Sequence, residues 1–155
     1  DNATQKYEGA RHLRNVTFPT VKDPKLLLGV IDNLVCSMEH SIEAILIYER
    51  LLRFVPVYSN DPKSQFNMFR QKSMNRNNIS PKYVNLYLEL KDILELHKKS
   101  PMAFQRGNKF VICNKDYMLK TLSINDIKDF LAQTKEFLDI SEKVISKYGQ
   151  ENKNI

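Results

Sequence analysis

The chain has 155 residues, of which 42% are hydrophobic and 27% charged, and its formal net charge is +6. That length predicts one domain over residues 1–148, able to bury a core without disulfide or metal, and a disordered tail over 149–155. Four glycines and six prolines exclude collagen-like, linker-like and turn-rich chains, and the longest apolar run, Leu26–Ile31, ends at Asp32, well short of the roughly 20 residues of a membrane span.

Helical periodicity dominates. Residues 3–15 predict a first helix with a thin apolar face. Residues 23–55 predict the longest one. Asp23 suits its N-cap and Pro24 its first position, Leu27, Val30, Ile31, Leu34, Met38, Ile42, Ile45 and Leu52 recur at three- and four-residue steps, and Pro56 stops it. Such a helix reaches about 46 Å. Asp61-Pro62 opens a short helix bearing Phe66 and Phe69. Ser80-Pro81 opens another that runs to about His97, with Val84, Tyr87, Leu88, Ile93 and Leu94 inward. Lys109–Cys113 and Tyr117–Leu122 read as a β-hairpin over a three-residue turn, Asn114-Lys115-Asp116. Ser123 caps a last helix whose inward face runs from Ile127 through Phe130, Phe137, Leu138 and Ile145 to Tyr148. The sum is an all-α, up-and-down helical bundle of four to five helices with a small β-hairpin (about 109–122) inserted before the last helix. The two long helices are expected to pack antiparallel, Leu34, Met38, Ile42 and Ile45 against Phe130, Phe137, Leu138 and Ile145.

Charge is segregated. Residues 62–82 carry Lys63, Arg70, Lys72, Arg76 and Lys82 and no acid. Residues 98–122 carry Lys98, Lys99, Arg106, Lys109, Lys115 and Lys120 against Asp116 alone. Segregated positive charge attracts polyanions, which makes Lys98, Lys99, Arg106 and Lys109 candidate nucleic-acid contacts. Phe66, Phe69, Phe104 and Phe110 interleave with these cations and would either stack on bases or fill the core. His97 stands at a helix C-terminus, where the dipole favours its charged form. With the neighbouring cations Lys98 and Lys99 it is a candidate for phosphate binding or proton transfer, although basic residues capping the last carbonyls account for the same cluster.

Glu39, His40 and Glu43 share a helix, but no Glu is followed by His three residues later, so no metal site of the paired-helix type is expected. The four glycines are isolated and form no phosphate-cradling loop; no cofactor is expected. Two lone cysteines, Cys36 and Cys113, predict buried thiols and a reduced, cytoplasmic compartment.

The runs Lys22-Asp-Pro-Lys-Leu-Leu-Leu28, Tyr48-Glu-Arg50, Glu95-Leu-His-Lys-Lys-Ser-Pro101 and Phe110-Val-Ile-Cys113 resemble a group of small archaeal proteins akin to the HEPN (higher-eukaryote and prokaryote nucleotide-binding) superfamily, over residues 5–147. The resemblance implies a helical bundle, a homodimer, association with RNA or nucleotides, and a nucleotidyltransferase partner protein. Ribonuclease members carry an arginine, then four to six residues, then a histidine. Here Lys91 stands in that place before His97 and Lys6 before His12, and lysine lacks arginine's bidentate fork. The expectation is a non-enzymatic adaptor that binds RNA or nucleotides. The alternatives are a metal-independent ribonuclease using His97 and Lys91, and a purely structural homodimeric subunit.

Overall fold

Three helix starts follow from short polar side chains placed ahead of apolar stripes. Asp61 Oδ1 accepts the Ser64 amide at 2.9 Å, Ser80 Oγ accepts the Lys82 amide at 3.3 Å, and Ser123 exchanges hydrogen bonds with Asp126 in a capping box. The computed structural model describes residues 2–12, 24–99, 102–107, 109–113, 116 and 119–154. The expected Asp23 cap, the end of the first helix beyond His12 and the turn residues Asn114 and Lys115 lie outside them. The elements in order are α1 (Asn2–His12), α2 (Pro24–Leu51), α3 (Pro62–Met68), a π-helical turn (Phe69–Ser73), α4 (Met74–Asn77), α5 (Lys82–Lys99), β1 (Met102–Arg106), β2 (Lys109–Cys113), β3 (Leu119–Ser123) and α6 (Ile124–Lys153). This is an all-α bundle with a small antiparallel sheet before the last helix.

Among the described residues, the four helices of eleven or more residues alternate in direction. Gly9 lies beside Asn33, and Ser37 Oγ donates to the Ala3 carbonyl at 2.7 Å, so α1 and α2 are antiparallel. Tyr87 OH donates to Glu39 Oε1 at 2.8 Å, joining α5 to α2. Lys82 at the start of α5 meets Glu136 at 2.8 Å while Glu89, two turns further along, meets Lys120 just before α6, so α5 and α6 are antiparallel. Alternation makes the second and fourth helices diagonal neighbours that run the same way. His40, Ser41 and Ala44 share one cleft with Leu138 and Ile145, and Phe54, three residues past α2, packs on Tyr148 with ring centroids 5.9 Å apart. The expected antiparallel pairing of the two long helices is therefore corrected to a parallel one. Their apolar positions hold: Leu34, Met38, Ile42, Ile45, Phe130, Phe137 and Leu138 are buried, and Ile145 is half-buried.

Other expectations shift. α2 ends at Leu51, before Pro56, because the chain turns left-handed at Arg53 (φ 60°). The Phe54 amide donates to the Glu49 carbonyl at 2.7 Å and the Arg53 amide to the Arg50 carbonyl at 3.1 Å. This is a Schellman ending, and Arg53 occupies the slot that glycine usually takes. A non-glycine side chain there costs about 1 kcal/mol. α5 turns Tyr83, Leu86, Leu90 and Ile93 inward with Val84 and Tyr87, while Leu88 is exposed and Leu94 half-buried. α6 continues to Lys153 through the expected tail, because nothing in Gly149–Lys153 forbids helix once the preceding turns are packed. The hairpin is the second half of a three-stranded meander, β1-β2-β3. Its extra strand, β1, pairs antiparallel with β2.

Candidate nucleic-acid interface

The sheet follows from one dipeptide. Gly107 takes φ +62°, the left-handed conformation that a two-residue hairpin loop requires. Arg106 then pairs with Lys109, Phe104 with Val111, and Met102 with Cys113. On the second ladder Phe110 pairs with Leu122, and Val111 with Thr121. Side chains alternate across a strand. Phe110, Ile112 and Leu122 face inward and are buried, while Lys120 on the same side reaches Glu89 of α5 at 3.1 Å. The opposite face carries Phe104, Arg106, Lys109 and Thr121. These four are exposed, Phe104 at 44%, whereas Val111 and Cys113 on the same face are buried.

Directly opposed side chains on a ladder have Cβ atoms about 5 Å apart, and like charges so placed repel. Arg106 and Lys109 stand in that relation, and neither has an ion pair to any described residue. Lys98, at the C-terminal end of α5, is exposed and pairs weakly with Glu95 at 3.4 Å. Lys99 closes α5, and its side chain lies outside the described residues. His97 is half-buried in the last turn of α5.

Lys91 does not join His97. Six residues on a helix separate them by about 9 Å along the axis and about 120° around it. The Lys91 ammonium instead lies 4.0 Å from Glu39 Oε1, the oxygen that accepts from Tyr87. Burial, then Glu39, holds the Tyr87 hydroxyl far above its usual range. Burial, then Asp32 and Glu39, pushes the Cys36 thiol up, so this cysteine is a poor nucleophile. Among the described residues no cluster of His, Cys, Asp and Glu is arranged to hold a metal ion.

The first basic segment, residues 62–82, lies at the far end of α5, about 27 Å away along the helix axis. Its phenylalanines are core. Phe66 stacks on Tyr87 at 4.4 Å and Phe69 meets Phe137 edge-on at 5.9 Å, so neither is open to a base; Phe104 alone of the four interleaved phenylalanines is exposed. Lys82 is engaged by Glu136. Arg76 is drawn inward. Its Nη1 contacts Glu49 Oε2, its Nη2 donates to the Phe54 carbonyl at 2.7 Å, and its Cζ sits 4.9 Å over the Phe54 ring. Glu49 is 0% exposed. Burial pushes its carboxyl up, while Ser73 and Arg76 pull the other way. Tyr148 OH donates to Asn77 Oδ1 at 3.0 Å beside this pair. The clamp ties α2, α4 and α6 at one point. Its sequence signal is Glu49 itself, an acid one turn beyond Ile45 and two beyond Ile42 on an otherwise apolar stripe.

No protein-family model, curated protein or solved structure matches the chain.

Proposed function

We propose that the chain is a non-enzymatic module that binds single-stranded RNA on the outward face of its sheet. The carrying observation is the Arg106–Lys109 pair. Two cations are held opposite each other beside a hairpin turn, neither in an ion pair with a described residue, and an exposed aromatic ring stands two residues along the strand from Arg106. A phosphate between them removes the repulsion, and Phe104 offers a plate on which a base stacks. Lys98 and Lys99 extend the positive surface along the end of α5. The resemblance to HEPN proteins points the same way, and it brings a homodimer and a nucleotidyltransferase partner into the same proposal. The ribonuclease alternative is weaker, because Lys91 is turned to Glu39 and away from His97.

The test is fluorescence anisotropy with a labelled single-stranded RNA at several salt concentrations. Affinity is expected to fall with a log–log slope of about −0.7 per phosphate contacted. Phe104→Ala weakens binding roughly 5- to 150-fold, the usual worth of one base–aromatic stack. Reversing Lys98, Lys99, Arg106 and Lys109 to Glu abolishes binding and leaves the helical spectrum intact. Equal binding by the reversed and unaltered proteins overturns the proposal. His97→Ala leaves binding unchanged; in a ribonuclease it would cost about 10²- to 10⁴-fold in cleavage rate.

A further inference from the structure

At the clamped end of the bundle a cleft of about 630 Å³ opens between the last turns of α2 and the loop that leads to α3. Arg50 and Arg53 line it, with Ile47, Leu51, Tyr58 and Gln65. Neither arginine forms an ion pair with a described residue. Arg50 lies over the Tyr58 ring at 5.9 Å. Glu43 also lines the cleft, and its carboxylate lies 3.9 Å from His40 Nδ1. Gln65 is 7% exposed and donates through Nε2 to Asn60 Oδ1 at 2.8 Å, which leaves its carbonyl oxygen for another partner.

Arg53 stands in a glycine's conformation. The Schellman ending of α2 requires a left-handed residue at this position, and an arginine is strained there where glycine is not. The turn is also held rigidly, since Arg76 binds both the Glu49 carboxylate and the Phe54 carbonyl on either side of it. Two guanidiniums brought to one cleft repel each other until an anion lies between them, and the planar fork of arginine matches a phosphate. The remaining lining is an apolar shelf, an aromatic ring, the amides of Asn60 and Gln65 and the single carboxylate of Glu43, so the cleft keeps a net positive charge for the phosphate and apolar surface for an organic group attached to it.

We propose that this cleft is a binding site for a small organic phosphate, gripped by Arg50 and Arg53, with its organic part on Ile47, Leu51 and Tyr58. The site is separate from the sheet face and stands or falls independently of RNA binding there.

The probe is adenosine monophosphate, titrated calorimetrically into the full chain, with adenosine and inorganic phosphate as parallel arms. The monophosphate is expected to bind at least tenfold more tightly than either arm. Arg53→Gly is expected to weaken that binding at least tenfold while raising Tm by about 2–4 °C, because it relieves the left-handed strain. Arg50→Ala weakens binding similarly with Tm nearly unchanged. Adenosine binding as well as the monophosphate would overturn the proposal, since the arginines would then be idle. So would inorganic phosphate binding as tightly, or Arg53→Gly binding as tightly as the unaltered chain. The sheet variants that abolish RNA binding are expected to leave the monophosphate titration unchanged.

Discussion

Arg76 and Arg106 sit at opposite ends of one bundle and meet opposite fates. Both come from basic stretches that look alike in sequence. Arg76 is folded against a fully buried glutamate, a carbonyl and a ring. Arg106 is left in solvent opposite a second cation. Local charge density therefore does not tell which cations are free to meet a ligand. The position of the partner decides, and Glu49 reaches its place only because α2 and α4 are brought together by the fold.

The comparison can be broken most forcefully at Arg76. Arg76→Ala is expected to cost about 3 kcal/mol in denaturant unfolding, since removing one member of a buried pair strands the other charge. A loss under about 1 kcal/mol would mean that Glu49 is not dependent on it. Second comes pH. The Glu49 carboxyl is raised on folding, so its contribution to stability is greatest below the ordinary glutamate range and is lost as pH rises through the raised value. Glu49→Gln should flatten the dependence of stability on pH above the ordinary glutamate range, by at most about 1.4 kcal/mol per pH unit. The opposite sign acts at Asp61, where the Ser64 amide holds the carboxyl down to about 2. The cap is present at neutral pH and is lost as pH falls toward about 2, so thermal melts of Asp61→Asn should differ from the unaltered chain at pH 7 and converge with it at the lowest pH. At the sheet end Ser123→Ala should cost about 1 kcal/mol through the α6 cap. Arg106→Ala comes last, changing stability by no more than about 0.5 kcal/mol and in the favourable direction.

Much of this fold is legible from local chemistry. Asp61, Ser80 and Ser123 announce helix starts because capping acts within four residues. The stripes of α2 and α6 announce what is buried because the helix period is fixed. Helix direction is not written that way. An apolar stripe has no polarity along its axis, so Leu34 and Phe137 look the same in a parallel or an antiparallel pair; only the count of intervening long helices settles it. β1 was hidden for a different reason. Gly107-Asn108 is a hairpin signal, but Met102–Arg106 holds no β-branched residue to mark a strand. At the candidate sites Arg106 and Lys109 are visible as cations, whereas their opposition requires a register. The left-handed Arg53 is invisible in sequence, since the signal for such a turn is the glycine that it replaces.

The parallel pairing of α2 and α6 also bears on how the chain reaches its native state. Phe54 meets Tyr148, and the middle of α2 meets the middle of α6, across almost the whole intervening chain. The loop-closure entropy of that encounter must be met before the core rewards it. α1 and α2 can form a helical hairpin early, pinned by Ser37 to the Ala3 carbonyl. The side of α2 that carries Ser41 and Ala44 stays open until α6 docks against it. A nascent chain halted before α6 has emerged therefore presents that side to solvent, and it is the species most in need of a chaperone.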